Sequence, residues 1–273
     1  MAPKQGYEQY LWYSDAVDGG LQSAGAVVGG GAAKESEARE IRAVGDWKPN
    51  QIREGAIRTS GSANVMLQAL GIFGLAARDA NGDLTSFDIE EGVDDTGTKH
   101  HRCKIDSFNL SADAGGNLNA NFSWKGTHFS TVGGGRAQTV SANDSLMWYE
   151  GAIAGFPHTI EVVGFDVSVS NNCDWVYVIQ DDLVPRRRAK YIREGDQNIT
   201  LNLRLLEEEG TDISAPTLTE VAAVTFTFTG AGTGNVVTLT LTQLLQGTQS
   251  NPLVVGGMVV YSVSYVVTNY TLA

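Results

Sequence analysis

The sequence predicts a mainly β protein built of two packed antiparallel sheets, a β-sandwich or partial barrel, with one or two short helices and an extended N-terminal arm. Three observations carry this expectation. Apolar and polar residues alternate with period 2 over FNLSADAGGNLNANFSWKG (108–126), where Phe108, Leu110 and Ala112, then Leu118, Ala120, Phe122 and Trp124, face one way around a glycine turn. From residue 159 onward nearly every stretch reads as a strand: TIEVVGFDVSVSN, WVYVIQ, NITLNLRLLE, VTFTFTG, NVVTLTLTQ and MVVYSVSYVVTNY. Helical spacing is confined to Met66, Leu67, Leu70 and Phe73 within 64–77, where Gly71 and Gly74 weaken it, and to a second short helix capped by Asn143 or Asp144.

The elements follow in chain order. Residues 1–45 carry an aromatic cluster (Tyr7, Tyr10, Trp12, Tyr13) and then GGLQSAGAVVGGGAAKESEAREIRAVG. Glycine and alanine at this density offer little to bury and much entropy to lose. Two readings stand: a flexible arm, or an arm that orders against a neighbouring copy with the aromatics as anchors. DWKPN (46–50) is a turn in which Pro49 fixes φ, and Asn81-Gly82 is another. TSFDIEEG (85–92) is a strand, residues 104–125 form a hairpin and GGGR (133–136) is a glycine loop. The main β domain therefore spans 46–273. Ile52-Arg53-Glu54-Gly55 recurs as Ile192-Arg193-Glu194-Gly195, which suggests an internal pseudo-repeat with halves near 46–135 and 159–273.

At 273 residues the chain is long enough to bury about three quarters of its unfolded surface in one core. Only 18% of residues are charged, so surface polarity must come from Ser, Thr, Asn and Gln. The net charge of −12 repels phosphate and argues against a DNA-binding protein. The two cysteines, Cys103 and Cys173, are too few for a disulfide framework and lack metal-ligand spacing. No apolar run approaches the ~20 residues of a membrane helix, and the N-terminus lacks the apolar core of a signal peptide. We expect a soluble, non-exported chain in which the sequons at Asn198 and Asn269 are chance.

No catalytic, metal or cofactor set emerges. His100 and His101 in an extended segment point to opposite faces, so they do not share a metal, with or without Cys103. Asp94-Asp95 and Glu207-Glu208-Glu209 read as solvated charge. GGGR lacks the Lys-Ser/Thr of a phosphate loop, and GAGTGN (230–235) leads into a strand where a dinucleotide site needs a helix. The one basic patch is Arg186, Arg187 and Arg188 with Lys190 and Arg193. It reads as a contact for another acidic subunit, as a plain surface loop, or as a local nucleic-acid contact.

The pieces DWKPNQIREGAIRTSGSANVML, LTSFDIEEGVDDTGTKHHRCKIDSFNLSADAGGNLNANFSWKG and IEVVGFDVSVSNNCDWVYVIQ…YIREGDQNITLNLRLLE resemble the tail tube proteins of tailed bacteriophages, relatives of the tube proteins of contractile injection systems. The resemblance covers roughly 46–273 and implies a tail-tube-like sandwich whose subunits form rings, usually hexameric, with inward sheets joined as one barrel. It implies stacked rings around a hollow lumen, a tape-measure protein, a tail terminator, baseplate or tip proteins, a sheath in a contractile tail, and later passage of double-stranded DNA. It places the protein in the virion tail after assembly in the host cytoplasm, with no enzymatic activity, cofactor or membrane. On this reading Asn117, Asn119, Asn121, Ser123, Thr238 and Thr240 face the lumen, and Arg186, Arg187, Arg188, Arg193, Tyr7, Tyr10 and Trp12 make assembly contacts. The alternative is a carbohydrate-binding or adhesin module using exposed Trp12, Trp47, Trp148 or Trp175.

Overall fold

A computed structural model describes residues 9–24, 26–41, 48, 51–68, 71–93, 96–133, 145–156, 161–178, 187–206, 220–232, 234–250 and 260–273. In chain order the strands are β1 (Gln9–Ser14), β2 (Leu21–Ser23), β3 (Ala26–Ile41), β4 (Gln51–Met66), β5 (Phe87–Val93), β6 (Thr96–Asp113), β7 (Asn119–Gly126) and β8 (His128–Gly133). They continue with β9 (Gly151–Ala154), β10 (Glu161–Ser170), β11 (Asp174–Val176), β12 (Tyr191–Arg193), β13 (Asn198–Leu206), β14 (Glu220–Thr229), β15 (Val236–Ser250) and β16 (Val260–Leu272). The protein is mainly β, as the alternation predicts.

All but β11 and β12 join one 14-stranded sheet. The long strand β6 is its trunk. Its first half pairs with β5 and β8, its second half with β7 and β10. The change of partners occurs near Arg102, whose φ of 50° breaks the extended backbone and re-aims the strand. The sheet then curls over its own core. Between β10 and β14 lie β13, β16 and β15, about 19 Å of flat sheet at ~4.8 Å per step. Yet the rings of Phe165 on β10 and Phe226 on β14 are 4.6 Å apart. The two packed layers expected from sequence are thus two parts of one continuous sheet.

Period-2 burial fills the space between them. Phe108, Leu110, Ala120, Phe122, Trp124, Phe165, Val167, Leu201, Leu203, Phe226, Leu239 and Leu241 are all buried. Phe73 meets Phe122 edge-on at 5.5 Å, and the Tyr270 hydroxyl donates to the carbonyl of Ala76 at 2.7 Å. One end is tied by a cycle of backbone bonds, Leu67 to Leu118, Leu118 to Leu146 and Leu146 back to Leu67, each 2.9 Å.

Several local expectations change. The helix expected over 64–77 is the end of β4 followed by a single 3-10 segment, Gly71–Ala76, which buries Ile72, Phe73 and Ala76. Gly71 at φ 42° starts it with a left-handed residue that an α-helix would not accept. The second helix is a 3-10 turn, Trp148–Glu150, preceded by Met147, whose N–H is held by the Glu150 carboxylate at 2.8 Å. Asn143 and Asp144 lie outside the described residues, as do Tyr7, Trp47, Pro49, Arg186 and both acidic runs.

The flexible-arm reading does not hold for residues 9–41. They form β1, β2 and β3, with β1 paired to β5 and β3 to β4. Tyr10, Leu11 and Tyr13 supply the apolar burial that the glycine-rich stretch lacks. Backbone pairing along β4 holds that stretch in place. The Tyr10 hydroxyl sits where a Cβ on Gly92 or Gly97 would stand, 2.6 and 2.2 Å away. The two IREG copies stand in different settings, one opening β4 against β3, the other leaving β12 in the small β11–β12 sheet.

Candidate functional surfaces

Outside the core, the layer formed by β4, β7, β6, β10 and β13 carries a ladder of polar side chains in which Asp166 is the one charged member. Register places Asn64 opposite Asn121, Asn121 opposite Asn109, Asn109 opposite Ser168, and Ser168 opposite Thr200. A second row runs Ser62, Ser123, Ser107, Ser170 and Asn198, and a third runs Asn119, Ser111, Asp166 and Asn202. Cross-strand partners bond along the rows: Ser107 to Ser123 at 2.7 Å, and Asn109 to Ser168 at 2.9 Å and to the Asp166 carboxylate at 2.6 Å. Asn119, Asn121 and Ser123 therefore stand where the alternation put them. Asn117 is in the turn before β7, its amide against the Met66 sulfur at 3.4 Å. Ser62, Asn64, Asn109, Ser168, Thr200 and Asn202 were missed, although the same alternation in GSANV, FNLS, SVSN and NITLNL marks them.

Thr238 and Thr240 lie on β15 opposite Thr227 and Thr225. Because β10 packs across the core from β14, the outer face bearing these threonines looks away from the Asn/Ser rows. Leu245 and Val266, both more than half exposed, sit side by side on that second face.

Among the described residues, four cations on the strands bordering the Asn/Ser rows are paired. Lys104 meets Glu194, Lys125 meets Asp106 at 3.2 Å, Arg58 meets Glu35, and Arg204 meets Asp113. Gly164 makes the last pair feasible, since the Arg204 guanidinium lies across β10 where a Cβ would stand 2.4 Å from it. Lys104 and the Leu84 N–H hold the Glu194 carboxyl below its usual range against the opposing effect of burial. Exposed pairs of this kind add little stability. Their effect is to leave no bare ammonium or guanidinium at these positions.

At one end of this face the β11–β12 sheet lies over Arg58 and Lys125, whose cations stand 5.2 and 5.1 Å from the Trp175 ring. The indole N–H donates to the Gly126 carbonyl at 2.9 Å. Trp175 is thus packed within its own chain. Trp12 and Trp148 are half-buried, Trp148 against the core. Of the basic patch, Arg187 and Arg188 dock onto β4, the Arg187 carbonyl accepting the Ile57 N–H at 2.9 Å. Arg193 is exposed on β12. Tyr10 is buried, its hydroxyl 3.4 Å from Glu90, and serves its own chain's core.

Where β5 and β6 meet β1, polar groups are buried. Asp88 is fully inaccessible and accepts the N–H groups of Arg102 (2.9 Å) and Asp18 (3.0 Å), with the Lys99 ammonium at 2.9 Å. Burial alone would raise its pKa. Those donors outweigh it and hold the carboxyl below the usual range. Asp18, Asp88 and His101 bring ligand atoms within 4.8 Å of one another. Lys99 already supplies the positive charge there. His100 and His101 do point to opposite sides, His100 into the core against Thr59 (2.6 Å) and His101 stacked on His128 with ring centroids 4.5 Å apart. Burial, then His101, Arg188 and Arg102, push His128 down to about 4. Cys103 and Cys173 are buried thiols, and burial pushes Cys173 up to about 12.

A family model of phage tail tube proteins matches residues 10–267. The chain belongs to the phage tail tube protein family. No curated protein matches it. As a tail tube protein it is a structural component of the virion, and the family implies self-assembly into a tube together with other tail components. The match begins at residue 10 and so includes β1 to β3, which the sequence alone assigned to an arm.

Proposed function

We propose that this tail tube protein forms rings that stack into a hollow tube, with the Asn/Ser rows of β4, β7, β6, β10 and β13 lining the bore. The observation that carries this is a polar wall free of cations in its three rows, with Asp166 its one charged member, bordered by four cations held in ion pairs. A duplex moving through the bore meets hydroxyls and amides that exchange readily with water. It does not meet lysines or arginines that would grip phosphate and release counterions. The surrounding negative charge repels the backbone further. Thr238 and Thr240 then face away from the bore, and Leu245 and Val266 with them. Arg193 remains a ring-contact residue, through which one acidic copy meets the next.

The partners on this reading are further copies of the chain, a tape-measure protein inside the bore during assembly, a terminator at one end and baseplate or tip proteins at the other. The protein performs no chemistry; its role in genome ejection is to be a smooth conduit. The reading is tested by electron microscopy of the purified chain over a concentration series. Hollow tubes or stacked rings are expected above a threshold concentration. Monodisperse monomers at every concentration, also in the presence of a tail initiator complex, contradict it.

A further inference from the structure

We propose that His101 and His128 form an acid-sensitive clasp, which holds β8 to the trunk strand β6 while at most one of the two rings is charged. The clasp is a device of the single subunit and stands or falls independently of the tube reading.

Among the described residues, β8 pairs only with β6, along Thr96–His101. Its side chains add little hold, since none of the residues His128–Gly133 is buried. The root of the strand is tied instead through one residue of β6. The His101 carbonyl accepts the Thr127 N–H at 3.0 Å and the Thr127 hydroxyl at 3.1 Å. Nε2 of the His101 ring bonds the Ser130 hydroxyl at 2.8 Å. The ring face lies on His128, directly opposite in register, with centroids 4.5 Å apart and planes 13° from parallel. Contacts from 127, 128 and 130 thus converge on His101.

Two imidazoles lie face to face in this way when both are neutral, or when one is. Two imidazoliums at that distance repel, and their surroundings decide how strongly. From β6 the pair faces Lys99 and Arg102, with His100 on the other side of the strand. The segment before β12 contributes Arg188, β5 contributes Asp88 and the turn after β1 contributes Asp18. Lys34 of β3 stands over the Phe129 ring of β8, 5.9 Å from its centroid. Both carboxylates already share the Lys99 ammonium. Lys99, Arg102 and Arg188 outweigh them before either histidine takes a proton.

Burial first, and for His128 then His101, Arg188 and Arg102, keeps both rings below the usual histidine range, His128 at about 4. The closed joint therefore favours neutral rings. Its contribution is full above about 6.5 and is lost as the pH falls towards 4. Because β8 has one strand partner and no buried side chain, the joint yields locally, ahead of the core. The Thr96–His101 edge of β6 is then left unpaired on that side.

The test is amide hydrogen exchange of the full chain between about pH 7 and pH 4, referred at each pH to the intrinsic exchange rate. Opening of β8 relative to β10 and β13 is expected to rise at least about tenfold by about pH 5, with those core strands still protected. In the same samples the His128 imidazole resonances are expected to titrate at the midpoint of the β8 opening. His128→Phe keeps a flat ring that takes no proton, and is expected to hold β8 closed across the range. Loss of β8 protection only together with that of β10 and β13 overturns the clasp. So does a His128 ring that titrates while β8 stays closed, or a His128→Phe chain that opens at the same pH as the wild type.

Discussion

The Asn/Ser rows on β7, β6, β10 and β13 and the buried polar cluster around Asp88 use similar side chains to opposite ends. In the rows, amides and hydroxyls face solvent and bond to one another while the apolar half of each strand fills the core. Around Asp88 the polar atoms are inside, and each carboxylate oxygen is matched by a backbone N–H or by Lys99. The first region tolerates exchange with water and places few demands on any one residue. The second is a set of interlocked bonds in which removing one partner leaves others buried and unpaired. A surface that must let another molecule pass is built from replaceable contacts; the joint that fixes β1 and β5 to the trunk strand is not.

Substitutions should sort by region. The largest effect is expected where the two layers meet beneath the rows. Phe165→Ala removes a ring packed on Phe226 and Phe228 and is expected to cost about 3–5 kcal/mol in thermal or denaturant unfolding. Next comes Asp88→Ala, which leaves two N–H groups unpaired and the Lys99 ammonium with only its 3.4 Å contact to the exposed Asp18. A loss of about 3 kcal/mol is expected, and a loss below ~1 kcal/mol would show that the cluster is no more interlocked than the rows. Acid should separate the regions too. His128 is depressed from 6.5 to about 4, so the unfolded chain binds its proton first. Stability contributed by keeping it neutral is full above about 6.5 and is lost as the pH falls towards 4. The groups that face it are His101, Arg102, Arg188 and Asp88. His128→Gln is expected to flatten the stability profile in that window. The smallest stability effect is expected on the rows: Asn121→Lys should change unfolding free energy by no more than about 0.5 kcal/mol. The same substitution should make assembled tubes retain DNA in a salt-sensitive way, where wild-type tubes do not.

The sequence made the two regions unequally legible. Strict alternation around Phe122 and Leu201 is a local pattern, so both the core residues and the polar face could be read along the chain without knowing which strands were neighbours. The hairpin turns at 114–118 and 230–235 were legible for the same reason. The Asp88 cluster was not. Its partners come from residues 18, 88, 99 and 102, and only the change of partners at Arg102 in β6 brings them together. The strands of the glycine-rich segment were hidden because their stability comes from pairing with β4 and from Tyr10 and Tyr13, not from their own composition. Burial of Tyr10 and Trp175 could not be foreseen either, since aromatic residues in polar stretches read equally well as contacts or as core. The opposite orientation of Thr238 and Asn121 depends on how far the sheet curls, which no local pattern encodes.

The most direct test of the conduit is a cryo-electron microscopy reconstruction of tubes assembled from an Asn121→Cys variant labelled with a maleimide gold cluster. Density for the label inside the bore, on a wall formed by β7, β6 and β10, is the expected result. Label on the outer surface of the tube, with Thr238 and Thr240 towards the axis, would contradict it.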